Sequence, residues 1–161
     1  MTGMRESTFP SDMPRPQIEP LTEAFWGAAR AGRLVIQRCT DCGAFRHLPS
    51  AMCGSCQSTA HEWVESEGRG TVYTYTIVTH SVHPATKAAV PYNVVVVQLD
   101  DCGGVLVPSN VVDCAPDDVH VGMRVRVVFE RVDDEIALPR FAREASAEGA
   151  RSEPQASGVE S

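Results

Sequence analysis

The chain has 161 residues, 43% of them hydrophobic, and a formal net charge of −7. This length is enough for one hydrophobic core and a small additional subdomain. The longest apolar run, residues 94–97, has the length of a strand and falls far short of the roughly 18 residues of a membrane span. The excess of acidic side chains disfavours binding to phosphate backbones, so neither a membrane nor a nucleic acid is an expected partner.

Both ends of the chain have the composition of tails. Residues 1–20 contain four prolines and few periodic apolar positions, and residues 146–161 are small, polar and acidic. Both segments are predicted to be disordered. The N-terminal segment has no apolar stretch typical of a secretory signal, which predicts a cytoplasmic protein.

Between the tails, residues 21–66 are predicted to hold a short helix followed by a metal-binding ribbon. Thr22 can cap the helix through its hydroxyl group, and Gly32 can end it. Phe25 and Ala29 give the helix an apolar stripe that can pack on the rest of the protein or dock on a partner.

The ribbon is predicted from four cysteines in the pattern C-x2-C-x10-C-x2-C, namely Cys39, Cys42, Cys53 and Cys56. Each C-x-x-C pair can direct two thiolates at one cation from a tight turn, and Gly43 and Gly54 are expected to relieve the turns. Four thiolates complete a tetrahedral shell, so the predicted ion is zinc in a structural role. Two disulfides or a redox dithiol are the alternatives, but the chain is long for a disulfide scaffold and neither pair opens a helix in a βαβ unit.

Residues 67–145 are predicted to be an all-β domain. Five segments either alternate between apolar and polar residues or form continuous apolar runs typical of buried strands. They predict strands at residues 71–79, 92–100, 105–112, 123–129 and 135–141. Alternation places Tyr73 and Tyr75 on one face of the first strand and Val72 on the other, and it turns Val128 of the fourth strand outward. Five strands suit a small closed barrel of the OB type, since a sandwich would need about seven. The predicted fold class is mainly β, with a short N-terminal helix, a zinc ribbon and a five-stranded OB-fold barrel.

The order of these motifs resembles that of a known family. A helix ending in GRL is followed by C-x-x-CG, a proline and C-x-x-C, then by GRGTVYTYTIVTHSVHPA, PYNVVVVQLDD, VGMRVRVVFE and ALPRF. Over about residues 21–143, the chain is similar to the zinc-ribbon/OB-fold acyl-CoA-associated proteins. The resemblance implies a rubredoxin-like zinc ribbon with all four cysteines as ligands.

The resemblance also implies a function. Members of the family commonly act as small subunits of thiolase-superfamily enzymes, which make or break C–C bonds in acyl-CoA thioesters. By resemblance the chain is a non-catalytic accessory subunit in a hetero-oligomer with a ketothiolase, an acyltransferase or a steroid side-chain retro-aldolase, and acyl-CoA is a possible ligand shared with that partner. The alternative is a free-standing single-stranded nucleic-acid-binding protein, because OB barrels often stack bases on aromatic side chains such as Tyr73 and Tyr75.

Four residues outside the ribbon are candidates for contact with substrate or partner. His80 and His83 follow the first barrel strand, in a loop that can reach a ligand. Arg124 and Arg126 project from one strand face and can meet the phosphates of coenzyme A. The alternative is that they simply form a solvated strand face, as exposed arginines often do. The sequence contains no recognised catalytic motif, so no catalytic residue is predicted.

Overall fold

The computed structural model describes residues 4–8 and 10–144, which form one α-helix and ten β-strands. The helix is α1 (Glu23–Arg30), and the strands are β1 (Met4–Glu6), β2 (Leu34–Cys39), β3 (Phe45–Arg46), β4 (His61–Ser66), β5 (Arg69–Val78), β6 (Tyr92–Leu99), β7 (Leu106–Ser109), β8 (Val111–Val112), β9 (Arg124–Arg131) and β10 (Ala137–Arg143). No helix in this part of the chain is long and apolar enough to cross a bilayer. The predicted tail at residues 146–161 lies outside the described residues.

Helix α1 buries the predicted apolar stripe and ends where the sequence indicates. Phe25 and Ala29 are buried, and Gly32 takes a left-handed conformation with φ of 74° just beyond the last turn. The prediction that the Thr22 hydroxyl caps the helix is wrong, because Thr22 has a helical backbone conformation (φ −108°, ψ −5°) and not the extended one of an N-cap. Its hydroxyl instead donates to the carbonyl of Glu19 at 3.2 Å.

The ribbon is a three-stranded antiparallel sheet in the order β3-β2-β4. Its central strand β2 is buried along most of its length because α1 packs on it and β3 and β4 flank it. Leu34 pairs with Ser66 at one end of this strand, and Cys39 pairs with His61 at the other. The strand therefore places Cys39 at the buried start of the first cysteine turn.

The barrel sheet has the order β7-β6-β5-β9-β10-β8. Neighbouring strands are antiparallel, except that β8 runs parallel to β10. The core is made of inward-facing apolar side chains from four of these strands, the most completely buried being Val72, Val95, Val97, Val125, Phe129 and Phe141. This mainly β architecture, with one short helix, a ribbon and an OB-type barrel, confirms the predicted fold class.

A bulge in β5 changes which side chains point into the barrel. Val72 lies opposite Val97, but Tyr75 lies opposite Val95, so three steps along β5 match two along β6. The extra residue is Tyr73 at the bulge. Val72 and Tyr75 consequently lie on the same face, and the prediction from simple alternation, which placed them on opposite faces, is wrong.

Residues 1–20, predicted to be a disordered tail, contain strand β1, which joins the barrel sheet. Met4 lies opposite Phe129 in a parallel pairing with β9. Beyond β1, the hydroxyl of Thr8 donates to Oε1 of Glu130 at 2.9 Å, and the backbone N–H of Thr8 donates to the same oxygen. This segment therefore lies along the edge of β9 and contacts the buried Glu130.

Candidate metal centre and exposed surfaces

Two turns with the same hydrogen-bond pattern hold the four cysteines. The N–H of Gly43 donates to the carbonyl of Cys39 at 2.9 Å, and the N–H of Gln57 donates to the carbonyl of Cys53 at 2.9 Å. The two donors also share a left-handed backbone, with φ of 75° at Gly43 and 62° at Gln57. Glycine was therefore correctly expected at Gly43, whereas in the second turn the left-handed position is Gln57 and not Gly54.

The four sulfur atoms converge on one point. The Sγ atoms of Cys39 and Cys56 are 3.6 Å apart, as are those of Cys42 and Cys53, and all four lie within 4.8 Å of one another. A disulfide would need about 2.05 Å, so these are free thiols. Zn–S bonds of about 2.3 Å in a tetrahedron place sulfur atoms roughly 3.8 Å apart, which is close to the separations found here.

The electrostatics of the cluster also fit a cation. The N–H groups of Cys56 and Ser55 point at the sulfur of Cys53 and lower the pKa of its thiol to about 6. The N–H of Ser58 acts on Cys56 in the same direction, but the neighbouring sulfurs of Cys42 and Cys39 raise the pKa of Cys56 to about 12. Four thiolates so close together repel one another, and a bound Zn²⁺ would compensate that charge.

A buried glutamine, which sequence reasoning missed, links the two cysteine turns. Gln37 lies on β2, is fully buried, and accepts through Oε1 from Nε of Arg46 at 2.6 Å and from the N–H of Ser50 at 2.9 Å. These bonds tie the segment between the turns to the central strand. The signal in the sequence is a glutamine directly after the apolar run LVI of β2.

The two predicted loop histidines lie in a compact turn. Nδ1 of His83 accepts from the N–H of Ala85 at 3.2 Å and so caps a short 3₁₀ helix, Pro84–Thr86. His80 is exposed in the same loop. Among the described residues, neither imidazole ring is hydrogen-bonded to a side chain that could act as a nucleophile.

The two predicted arginines have different surroundings. Arg124 is held by both carboxylate oxygens of Asp100, at 2.7 and 2.5 Å, and by the hydroxyl of Thr71 at 2.9 Å. Its side chain is thus largely occupied within the chain. Arg126 is exposed and lies directly opposite Arg69 on β5, and Nε of Arg69 lies 3.3 Å from the carboxylate of Glu144.

Two tyrosine side chains of β5 are exposed near the bulge. Tyr73 is 56% exposed, Tyr75 is 40% exposed, and Val121 in the adjoining loop is 62% exposed. The loop is held beside β5 because the N–H of Gly122 donates to the carbonyl of Val72 at 2.9 Å. We call Tyr73, Tyr75 and Val121 the tyrosine surface. The Tyr75 side chain lies on the same face of β5 as the buried Val72. It stays accessible because the pairing of β5 with β9 ends at Thr71.

Comparison with known proteins places the chain in a family. Residues 26–62 match the family model described as the rubredoxin-like zinc ribbon domain of ChsH2, and residues 63–130 match that of the ChsH2 C-terminal OB-fold domain. The chain belongs to the ChsH2 zinc-ribbon/OB-fold family. The predicted family is thereby confirmed, and the division between the two matched domains falls within β4.

Several relatives are named as parts of larger assemblies. The chain is 41% identical over 129 residues to a probable enoyl-CoA hydratase alpha subunit of Thermomonospora curvata, covering 80% of this chain and 39% of that protein. It is 32% identical over 120 residues to the 3-oxo-4,17-pregnadiene-20-carboxyl-CoA hydratase alpha subunit of Mycobacterium tuberculosis, covering 74% and 37% respectively. The chain therefore spans about two-fifths of the length of these two relatives.

Other matches span more of the related protein. A DUF35 domain-containing scaffold protein of Methanocaldococcus jannaschii is 32% identical over 103 residues, covering 63% of this chain and 71% of that protein. Among solved structures, a chain of the Ltp2-ChsH2(DUF35) aldolase has a TM-score of 0.71 and 38% identity, covering 80% of this chain and 98% of that one. The ribbon and barrel thus form a unit that also occurs as almost the whole of another family member.

Proposed function

We propose that this protein is a non-catalytic accessory subunit that binds a thiolase-like enzyme and supports C–C bond formation or cleavage on acyl-CoA thioesters. The observation that carries this proposal is the similarity to the Ltp2-ChsH2(DUF35) aldolase chain, which includes 98% of that chain. Relatives named as alpha subunits of CoA-thioester hydratases and as scaffold proteins support the same kind of role.

In this role the zinc ribbon serves as a rigid platform. The closed set of four sulfur ligands leaves no position for substrate, so the metal stabilises the ribbon and supplies no chemistry to the reaction. Two sulfurs belong to the buried Cys39 and Cys53, and two to the exposed Cys42 and Cys56. Metal binding therefore fixes the surface turns against the core of the ribbon.

The proposed contact with the enzyme is the tyrosine surface. Tyrosine is enriched at the energetic centres of protein interfaces, because its ring buries a large area while its hydroxyl keeps a hydrogen bond. Tyr73 and Tyr75 lie on the part of β5 beyond its pairing with β9, so a partner can reach both side chains. The loop with His80 and His83 continues from the end of this strand and extends the same contact region.

The chemistry is proposed to reside on the partner. Burial raises the pKa of the Cys102 thiol to about 11, with Asp101 acting in the same direction, and burial also raises the pKa of Cys114. Neither cysteine is thus prepared as a thiolate nucleophile. A thiolase-type nucleophile is expected on the enzyme, while this chain helps to shape the channel around the thioester.

Coenzyme A phosphates are proposed to meet Arg126 more readily than Arg124. Arg124 already faces Asp100 and Glu144, with Nη2 2.5 Å from the Asp100 carboxylate and Nε 3.7 Å from the Glu144 carboxylate. Arg126 has no ion pair among the described residues, whereas its neighbour across the strands, Arg69, is paired with Glu144. Arg126→Ala is expected to raise the KM for acyl-CoA of the assembled complex, and Arg124→Ala to change it less.

The test is reconstitution. The chain is co-expressed with the thiolase-superfamily enzyme that co-purifies with it from its host, and C–C cleavage or formation is assayed for each protein alone and for the mixture. The proposal requires a stoichiometric complex whose activity needs both chains. Turnover of acyl-CoA by this chain alone, or salt-sensitive binding to single-stranded nucleic acid in place of a protein partner, would overturn it.

A further inference from the structure

A cavity of about 320 Å³ lies outside the ribbon and away from the tyrosine surface. One wall is the N-terminal segment, with Pro10 and Met13, and the opposite wall is the loop between β5 and β6, with Thr86 and Ala89. The remaining sides come from the start of β6 and from β8, including Val112. Its volume is at the lower end of the range for sites that enclose small ligands.

The base of this cavity is a buried ion pair whose hydrogen bonds are largely satisfied. The Glu130 side chain is 3% exposed, and its Oε2 accepts from Nε of Arg140 at 3.0 Å. Its Oε1 accepts from the hydroxyl and the N–H of Thr8, while Nη1 of Arg140 donates to Oδ1 of Asn110. Because the two charges compensate each other, the cavity offers no net charge to a ligand.

One N–H group of this ion pair, on Nη2 of Arg140, remains available to bind a ligand. Arg140 lines the cavity, and its Nη2 donates to no acceptor among the described residues. The lining mixes apolar side chains with polar ones such as Thr86, Tyr92 and Asn110, and a guanidinium N–H with no acceptor favours a ligand oxygen. A carboxylate there would approach Glu130 and be repelled, whereas an uncharged carbonyl oxygen would not.

We propose that this cavity binds a small apolar molecule carrying one uncharged carbonyl oxygen, such as a ketone or a thioester. The apolar part contacts Met13, Ala89 and Val112, and the oxygen accepts from Nη2 of Arg140. The N-terminal segment closes the site, because Thr8 anchors that segment to the ion pair at the base. Binding is measured on the chain by itself, so the result is independent of whether the proposed enzyme partner exists.

The full-length, zinc-loaded protein is titrated with 2-heptanone while the methyl resonances of Met13 and Met52 are followed by NMR. Met13 lines the cavity, and Met52 is an exposed residue of the ribbon. We expect saturable shifts at Met13, none at Met52, and weaker binding of heptanoate. S-hexanoyl-N-acetylcysteamine is the thioester probe, and tighter binding of it than of the ketone would identify thioesters as the preferred source of the carbonyl.

Two neighbouring alanines provide the variant and its control. Ala89 lines the cavity and Ala88 does not, and both are exposed enough to accept a larger side chain without unfolding the protein. Ala89→Phe should fill the cavity and weaken 2-heptanone binding by at least about tenfold, whereas Ala88→Phe should leave it unchanged. Absence of saturable shifts at Met13, equal binding by both variants, or a preference for heptanoate would overturn the proposal.

Discussion

The side chain of Asn93 binds both backbone groups of Val111. Nδ2 of Asn93 donates to the carbonyl of Val111 at 2.8 Å, and Oδ1 accepts from the N–H of Val111 at 2.7 Å. Asn93 is on β6 and Val111 on β8, two strands that are not neighbours in the sheet. The amide thus takes the place of a strand pairing and closes the barrel between the start of β6 and the edge strand β8.

Removal of this amide should destabilise the fold strongly. Asn93→Ala leaves the buried N–H and carbonyl of Val111 without partners, which should lower the free energy of unfolding by about 3 kcal/mol. Urea unfolding followed by tryptophan fluorescence measures the change. Gln98→Ala, on the exposed face of the same strand, is the control and should stay within about 0.5 kcal/mol of the unsubstituted protein. Equal effects of the two substitutions would show that the amide does not close the barrel.

Substitution of two buried cysteines, Cys53 and Cys102, should have different effects on zinc binding. Cys53→Ser should lose bound zinc and unfold the ribbon, because three thiolates no longer complete the shell. Cys102→Ser should retain the metal, since Cys102 is buried beside the barrel and belongs to no cluster of metal-ligand type in the described chain. Zinc content after gel filtration, together with circular dichroism, distinguishes the two. Full zinc occupancy in Cys53→Ser would contradict a four-sulfur site.

The two ribbon glycines should respond differently to alanine. Neither Gly43 nor Gly54 has another atom within 4 Å of an added Cβ, so crowding plays no part. Gly43 has a φ of 75°, and an L side chain there costs about 1–2 kcal/mol. Gly43→Ala should therefore lower the melting temperature by several degrees, while Gly54→Ala should not. A comparable loss at Gly54 would mean that its backbone is also strained.

Glu130 should make stability depend on acid pH. Burial raises the pKa of its carboxyl, but Arg140 and the hydrogen bonds from Thr8 outweigh that effect, so the folded pKa lies below the ordinary 4.5. The stability that the ionised Glu130 carboxylate contributes is complete above pH 4.5. It is lost as the pH falls through the lower pKa of the folded protein. Glu130→Gln should cost about 2 kcal/mol at pH 7 and progressively less below pH 4.5.

Unfolding of the Glu130→Gln variant is compared with that of the unsubstituted protein in urea across this pH range. Glu135→Gln, which changes an exposed carboxylate in the turn before β10, is the control and should leave the free energy of unfolding unchanged. A constant difference between Glu130→Gln and the unsubstituted protein at all pH values would contradict a depressed pKa of Glu130.

The tyrosine surface predicts a separation of binding from stability. Tyr73→Ser combined with Tyr75→Ser should leave unfolding nearly unchanged, because both side chains are already exposed. Binding to the enzyme partner should weaken by about tenfold or more, as expected for aromatic residues at the centre of an interface. Leu106→Ser, at 39% exposure on β7, is the control for loss of exposed apolar area. Unchanged affinity in the tyrosine variant would place the interface elsewhere.

The sequence predicted the metal ligands and the strands because their patterns are local. The C-x-x-C spacing and the alternation of strand β9 depend on residues only a few positions apart. The third predicted strand, residues 105–112, is instead divided into β7 and β8. The break occurs at Asn110, whose side chain donates to the carbonyl of Asn93. Because these two residues are far apart in the sequence, the local pattern does not reveal the break.

Features that depend on what covers a strand could not be predicted. Val128 alternates outward as expected, yet it is only 8% exposed, because periodicity gives the direction of a side chain and not what packs on it. Tyr73 and Tyr75 likewise could have been core or surface until the bulge and the end of the pairing with β9 were known. Strand β1 lacks a periodic signal because it contains three residues, Met4–Glu6.

The central claim is tested most directly by affinity capture of the tagged full chain from its host, followed by an activity assay of the purified complex. We predict that a thiolase-superfamily enzyme co-elutes in stoichiometric amount, that the tyrosine variant captures much less of it, and that C–C chemistry on acyl-CoA requires both proteins. Equal capture by the tyrosine variant would contradict only the proposed surface. Full activity of the enzyme after this chain is removed, or the absence of any such enzyme, would contradict the accessory role itself.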